Sequence, residues 1–304
     1  MKSHHKNSQT NHSSTTHSPD RKMTRIGLTL ALTAIFLVSL AAPASACTKV
    51  SAPKLAQISA GSTEVWGLDA VGDVYQYNSA TKTFNVTSGN LDQISVGTGE
   101  SVWGLKGDKI YKYNFKTKSF TLVKGSLDVV SAGASGIWGV NESGGVFSYN
   151  GVAFIEFTNG AIPSSETVAV GENAPWILDA GGHPWLYNTT TGYFDETKSS
   201  TLVLKQISVG SDLNAWGVDY SNEVWLYNVN TEYFDLWPDV SLAQVSLFND
   251  DTPWGVTPAG DALKFTGTGF AEQCPAVTNF GQISAGGTAA GTWGLTTTGG
   301  VYLF

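Results

Sequence analysis

Seven copies of a tryptophan-centred motif recur at Trp66, Trp103, Trp138, Trp176, Trp216, Trp254 and Trp293, in steps of 37, 35, 38, 40, 38 and 39 residues. Glycine follows the tryptophan in six copies; the fourth reads Trp176-Ile177. A period of this size is the signature of a repeat architecture, in which each unit buries its apolar face only against its neighbours.

Two further blocks keep step with the tryptophan. Upstream lie Gln57-Ile58-Ser59, Gln93-Ile94-Ser95, Gln206-Ile207-Ser208 and Gln282-Ile283-Ser284, with looser versions at Val129, Thr167 and Gln244. Downstream, an aromatic block begins at Tyr75, Tyr111, Phe147, Trp185, Trp225, Leu263 and Tyr302. The blocks are short, alternating and rich in β-branched or aromatic residues, with Gly, Asn and Asp between them, which reads as strands joined by tight turns. In the first copy this predicts strands at Gln57–Ala60, Glu64–Leu68, Val74–Tyr77 and Thr83–Thr87. Four antiparallel strands in about 40 residues is the layout of a propeller blade. The chain is therefore expected to be all-β, a β-propeller of seven blades, with six and one aberrant copy as the alternative.

The two ends are complementary. The last copy stops at Phe304 after three strands, and Thr48–Val50 aligns with the fourth strand of a blade it does not otherwise possess. Pairing of Thr48–Val50 with Gly300–Phe304 would close the ring, and closure removes the sheet edges that invite aggregation.

Residues 1–46 do not share the pattern. A polar stretch ends at Asp20; Arg21, Lys22 and Arg25 then precede the apolar run Ile26–Leu40 and Ala44-Ser45-Ala46. This is the order of a signal peptide, with Met23 as a possible true start. The run is too short and wrongly flanked for a stable membrane span. Export is expected, and residues 47–304 form one domain, because the period runs through them without a linker.

That domain has 12 lysines, no arginine and 24 acidic residues. Arginine is the usual fork for phosphates and base edges, so an acidic, arginine-free ring is a poor nucleic-acid binder. Six lysines cluster between Lys106 and Lys124, most simply as a solvated face. Cys47 and Cys274 are the only cysteines, and in an exported chain they are disulfide candidates. The alternative for Cys47 is acylation as a lipoprotein anchor. Asn85, Asn141 and Asn188 head glycosylation triplets.

Catalytic chemistry is sparse. His183 is the domain's one histidine and falls at a variable turn, which leaves nothing for a histidine metal cluster and little for a triad. Asp195-Glu196 and Asp250-Asp251 are adjacent carboxylates, and neighbouring strand residues point apart rather than forming a glycosidase pair. Asn249-Asp250-Asp251 has the composition of a calcium loop. No metal, no cofactor and no enzymatic activity are expected.

Binding is the better prospect. Each tryptophan either fills the wedge between sheets, worth roughly 2–3 kcal/mol of burial, or offers a platform for the C–H face of a pyranose. Trp66, Trp103, Trp138 and Trp216 are the candidate platforms. Three residues after every tryptophan the side chain is polar, as at Asp69, Asn141 and Asp219, where it serves either a sugar hydroxyl or the strand-end turn. Tyr193, Tyr233 and Trp237 lie outside the framework and are candidates for exposed contacts.

The order Ile-Ser-Val-Gly, Val-Trp-Gly-Leu, hydrophobic-x-Tyr resembles the tectonin repeat of tachylectin-1, fish-egg lectin and mushroom tectonins. Ile94–Gly97 with Val102–Leu105, and Ile207–Gly210 with Ala215–Val218, match it best. Phe84, Phe120, Phe194 and Phe234 stand where tectonins commonly carry a fourth-strand tryptophan, and seven repeats replace the usual six. The resemblance implies a β-propeller lectin with sites in clefts between blades, binding lipopolysaccharide, N-acetylhexosamine or O-methylated glycans. The expected function is a secreted, multivalent carbohydrate binder acting through avidity. The alternative is a non-catalytic protein-interaction or cell-surface scaffold on the same ring.

Overall fold

The computed structural model describes residues 47–160, 162–211, 213–248 and 251–304. The leader and its expected cleavage site lie outside the described residues, as do Asn249 and Asp250.

The described chain forms seven four-stranded antiparallel sheets. Blade 1 runs β2 (Leu55–Ala60), β3 (Val65–Asp69), β4 (Asp73–Asn78) and β5 (Thr83–Asn90) from the inner to the outer edge. Blades 2 and 3 repeat this with β6 (Gln93–Val96) to β9 (Ser119–Val123) and β10 (Val129–Gly133) to β13 (Phe154–Glu156). Blade 4 contains β14 (Ser165–Val170), β15 (Pro175–Asp179), β16 (Pro184–Asn188) and β17 (Tyr193–Glu196). Blade 5 contains β18 (Leu204–Val209), β19 (Ala215–Asp219), β20 (Glu223–Asn228) and β21 (Tyr233–Ser241); blade 6 runs from β22 (Gln244–Ser246) to β25 (Phe270–Gln273). Blade 7 is composite: β26 (Phe280–Ser284), β27 (Trp293–Thr296) and β28 (Val301–Leu303) are completed by β1 (Thr48–Val50). The register is Thr48 to Leu303, Lys49 to Tyr302 and Val50 to Val301. Seven blades and terminal closure are thus both present, and the six-bladed alternative is excluded.

Cys47 and Cys274 are joined in a disulfide, with Cα atoms 5.2 Å apart. It ties the strand that completes blade 7 to the end of the outer strand of blade 6. With its sulfur engaged there, Cys47 is not free to carry a lipid, which corrects the anchoring alternative. Among the described residues no helix is long and apolar enough to cross a membrane.

The Gln-x-Ser repeated in five inner strands has a purpose that lies between blades. The Gln57 amide accepts from Ile94 N–H at 2.9 Å and donates to Ile94 C=O at 3.3 Å, while Ser59 Oγ accepts from Val96 N–H at 3.0 Å. Gln206 grips Val245 (3.0 and 2.9 Å), Gln244 grips Ile283 (2.7 and 3.0 Å), and Gln282 grips Ile58 (2.9 and 2.9 Å) in the same way. Ser284 Oγ accepts from Ala60 N–H at 2.9 Å. These side chains supply partners that the free edges of the inner strands they reach would otherwise lack, and the lacing continues across the junction where the chain's ends meet.

The core lies between blades. Four tryptophans pack edge-on against the third-strand tyrosine of the next blade: Trp66 on Tyr113 (4.6 Å between centroids), Trp103 on Tyr149 (4.6 Å), Trp176 on Tyr227 (4.8 Å) and Trp293 on Tyr77 (4.6 Å); Trp138 and Trp216 meet Tyr187 and Phe265 at a tilt. A fourth-strand phenylalanine completes most triplets, as Phe120 does on Trp66 and Phe84 on Trp293. Trp254 meets Phe304 at 5.1 Å, and the Cys47–Cys274 bridge lies in the same cluster. Thr48 pairs with Leu303 as Asn85 pairs with Gln76, so Cys47 holds the phenylalanine's place in that blade, and the covalent bond stands where the third ring would be.

The glycine after each tryptophan makes room for the residue that opens the same blade. A Cβ on Gly67 would stand 2.5 Å from Leu55 Cδ1, on Gly104 2.4 Å from Leu91 Cδ1, and on Gly217 2.5 Å from Leu204 Cδ1. In blade 4 both positions change together: Ser165 replaces the leucine, pairing with Asp179 as Leu55 pairs with Asp69, and buried Ile177 replaces the glycine. The apparent irregularity of the fourth copy is an exchange of volume between strands.

Candidate functional site

The structure rearranges the expected site residues. Trp66, Trp103, Trp138 and Trp216 are 0–7% exposed, so none has a face on which a pyranose can lie; they are wedge residues. Asp69, Asn141 and Asp219 cap the turn between the second and third strands of their blades. Asp69 Oδ1 accepts from the N–H groups of Val71 (3.0 Å) and Asp73 (2.9 Å), Asn141 Oδ1 from Gly145 (2.8 Å), and Asp219 Oδ1 from Ser221 (2.8 Å) and Glu223 (2.9 Å). Turn chemistry explains the polar position after six of the seven tryptophans; in the second copy Lys106 instead pairs with Asp92, whose carboxylate accepts from the Gly107 N–H. His183 follows the same plan: its N–H bonds Asp179 Oδ1 at 2.9 Å, and its Nδ1 lies 3.1 Å from that oxygen. Burial raises the Asp179 pKa, but the His183 N–H, the Trp185 indole, the Gly181 N–H and the His183 ring outweigh it and hold the carboxyl below its usual range.

The extra aromatics divide. Trp237 packs on Trp216 (5.4 Å) and Phe265 (5.2 Å), filling the cleft between blades 5 and 6 rather than presenting itself to solvent. Tyr193 and Tyr233 are each 47% exposed. Tyr193 covers Gly160, where a Cβ would come 2.8 Å from its ring. Tyr233 lines a groove of about 520 Å³ along blade 5 with Asp219, Tyr220, Trp225 and the segment 198–203. Of the glycosylation triplets, Asn85 is exposed, whereas the Asn141 carbonyl caps its turn and Asn188 caps the N–H groups of Thr190 and Thr191. Of the lysine cluster, Lys106 pairs with Asp92 at 2.7 Å and Lys112 lies over Trp103, 5.2 Å from its centroid.

One cavity is formed by residues that the linear motif did not single out. It lies between blades 4 and 5, has a volume of about 580 Å³, and sits at the opposite end of the strands from the Asp179 and Asp219 turns. Blade 4 contributes Asn173, Ala174, Leu186, Tyr187, Asn188 and Asp195; blade 5 contributes Leu213, Tyr227, Val229 and Glu232. Asn188 Nδ2 donates to Asp195 Oδ2 at 2.8 Å, and Glu232 meets Lys198 at 3.2 Å. Burial, and then the Glu232 carboxylate, push the Tyr227 hydroxyl above its ordinary pKa. Glu196 lines the same cavity, although strand alternation sends it from Asp195 to the other face of its sheet.

This cleft is open because of what its neighbours have and it lacks. Opposite each tryptophan on the third strand stands Gln76, Lys112, Ser148, Leu186, Leu226, Lys264 or Leu303. Between blades 1 and 2, Gln76 bonds Glu64 at 2.8 Å and Phe115 packs on Trp66 and Tyr113. Lys112 and Lys264 cover Trp103 and Trp254. Phe157 lies on Trp138 and Tyr187. Blades 4 and 5 place short Ala174 and branched Val229 at the corresponding mouth. A second, smaller cleft of about 420 Å³ lies at blades 7 and 1, lined by Glu64, Gln76, Tyr77, Asn78, Asn85 and Ala290. Among the described residues no group of three or more His, Cys, Asp or Glu side chains is arranged to hold a metal.

Comparison with solved structures finds the same architecture in distant sequences. YCF48 with a bound peptide superposes with a TM-score of 0.65 at 12% identity, covering 85% of this chain and 94% of that one. YCF48 from Cyanidioschyzon merolae gives 0.64 at 15% identity, covering 86% and 98%. Prp20p from Saccharomyces cerevisiae, described with its binding to Gsp1p and histones, gives 0.61 at 10% identity, covering 76% and 80%. At these identities the likeness is one of fold. No curated protein sequence matches. The model of the tectonin domain matches residues 44–119 and 164–304, most of the chain, and on that match the chain belongs to the tectonin family.

Proposed function

We propose that the protein is a secreted, multivalent carbohydrate-binding protein that takes surface glycans in clefts between blades and catalyses no reaction on them. The observation that carries this reading is the cleft between blades 4 and 5, where two tyrosines and aliphatic side chains line a cavity rimmed by Asn188, Asp195 and Glu232. Apolar walls take the C–H face of a sugar ring, and a few convergent polar groups take its hydroxyls. Membership of the tectonin family supports it. The basic-apolar leader and the Cys47–Cys274 bridge are consistent with export to an oxidising compartment. Lipopolysaccharide, N-acetylhexosamine and O-methylated sugars are the ligand classes to be compared, with weak single sites combining through avidity. The test is a glycan array probed with the full-length protein, with far-ultraviolet circular dichroism as a check on the ring. Retention on one class of glycan, weakened by Tyr227→Ala and Asp195→Ala, is the expected result. A blank array with an intact ring overturns the reading.

A second reading has its own observation. Val86 (71% exposed), Leu122 (63%) and Leu236 (49%) stand at one repeated position on the outer strands of blades 1, 2 and 5. Apolar side chains at a rim suit a protein partner; one similar propeller is solved with a bound peptide, and another is described with its binding to Gsp1p and histones. A blank array would favour this scaffold role.

A further inference from the structure

The lysines of this acidic domain are not spread evenly round the ring. Residues 47–124 carry nine lysines against six carboxylates, and residues 125–304 carry three against eighteen. In blade 2, Lys106 pairs with Asp92 at 2.7 Å, Lys109 lies 3.9 Å from Asp108, and Lys112 covers Trp103. Lys49, Lys82, Lys116, Lys118 and Lys124 are exposed, and among the described residues none of the five forms an ion pair.

Those five share one structural feature, because the outer strands of blades 7, 1 and 2 join end to end round the rim. Ser51, just past β1, bridges in parallel to Thr83 at the start of β5, and its C=O accepts from Phe84 N–H at 3.4 Å. Further along β5, Ser88 Oγ donates to Lys118 C=O at 3.1 Å, beside the start of β9. Lys124, just past β9, bridges to Ala153, where the band passes into blade 3. Along this band, residues 48–51, 82–90 and 116–124 include no aspartate or glutamate. The outer strands beyond it all carry acids: Glu156 in β13, Asp195 and Glu196 in β17, Asp235 and Asp239 in β21, and Glu272 in β25. Lys82 and Lys118, with φ of 55° and 53°, hold the turn position that Glu232 holds in blade 5 with φ of 64°. One backbone position thus carries opposite charge on different blades.

A small anion needs donors that converge on a pocket, whereas these lysines follow one another along a strip. A linear polyanion meets such charges in turn. Repulsion from the acidic blades is short-ranged, since the Debye length at physiological salt is about 8 Å and a domain of this size has a radius of gyration of about 18 Å. Lysine is a point charge without arginine's fork, which suits diffuse attraction to sulfate or carboxylate groups. Nucleic-acid bases call for stacking platforms, and the band's phenylalanines are turned inward, Phe84 onto Trp293 and Phe120 onto Trp66.

We infer that the band formed by β1, β5 and β9 is a track for a linear anionic polysaccharide, a sulfated or uronate chain, held by Lys82, Lys116 and Lys118 with Lys49 and Lys124 at its flanks. This surface is separate from the cleft between blades 4 and 5 and does not depend on it.

The experiment measures binding of the full-length protein to immobilised heparin, polygalacturonate and dextran at 50 and 200 mM salt. Both polyanions should retain the protein at the lower salt, and the higher salt should weaken that binding roughly twentyfold if three charges are neutralised, by the slope for single-stranded polyanions. Dextran should give no salt-sensitive signal. Lys82→Gln combined with Lys118→Gln should remove most of the salt dependence with the melting temperature unchanged. Lys198→Gln combined with Lys205→Gln, which removes the same charge from the acidic side, should leave polyanion binding in place. No retention on either polyanion at 50 mM salt would overturn the inference, as would equal effects of the two double variants. Tighter binding to oligo(dT), or to vesicles containing phosphatidylglycerol, than to heparin would overturn the polysaccharide assignment. A blank array of neutral glycans bears on the cleft alone, so the two readings fail separately.

Discussion

Gln282→Leu tests the lacing that joins the blades. The substitution keeps the side chain's size and removes two hydrogen bonds, from Ile58 N–H and to Ile58 C=O, both 2.9 Å and both across the junction where the chain closes. Net hydrogen bonds contribute about 0.5–1.5 kcal/mol each, and a buried backbone group left unpaired costs about 1–3 kcal/mol. Ile58 is 1% exposed, so water does not readily replace the amide. The expected loss is about 2–4 kcal/mol, which for a domain of this size lowers Tm by roughly 5–12 °C. Urea titration followed by fluorescence, with Tm by calorimetry, measures it. Thr167 supplies the converse: it pairs with Leu178 as Gln57 pairs with Leu68, yet cannot reach the next blade as glutamine does. Thr167→Gln should therefore stabilise the ring by about 1 kcal/mol. If Gln282→Leu costs less than about 0.5 kcal/mol, within the range of an ordinary surface change, the side-chain lacing does not hold the blades together and the reasoning is wrong.

Three further outcomes are expected. Ile177→Gly and Ser165→Leu should each destabilise blade 4, by cavity formation of about 3–5 kcal/mol and by overpacking of about 1–3 kcal/mol, whereas the double variant should lose far less than their sum. A double-mutant cycle showing simple additivity would rule out the volume exchange. Reduction of Cys47–Cys274, which closes a loop of 227 residues, should lower stability by up to roughly 5 kcal/mol on the chain-entropy account; an unchanged melting curve after confirmed reduction contradicts it. The pKa of Asp179 is depressed in the folded state, so its contribution is present above the unfolded carboxylate value, about 3.9, and is lost as pH falls through the folded value. Asp179→Asn should therefore cost stability at pH 7 and progressively less below about pH 4, and a cost independent of pH would argue against the charged turn cap.

Much of the fold is legible because strands and turns are encoded locally. The predicted Thr83–Thr87 strand falls within Thr83–Asn90, and the orphan Thr48–Val50 pairs with Val301–Leu303. The site was far less legible. Trp66 and Trp216 are equally good in one dimension as wedges or as platforms, since burial is a property of the neighbouring blade. Tyr187 and Tyr227 were visible only as framework aromatics of the repeat. Their role at a cleft appears when Ala174, Leu186 and Val229 fail to fill the space that Phe115, Lys112, Trp237 and Lys264 fill elsewhere.

By itself the sequence determined the number of blades, the four strands of each, the junction of the two ends and the pair of cysteines able to bridge it, because a period of about 38 residues and strand alternation are written into contiguous residues. Tertiary structure alone decided which interface stays open, and why Ser165 and Ile177 change together. Those outcomes depend on side chains from different strands and adjacent blades meeting across space, and on the departures from the repeat rather than on the repeat itself.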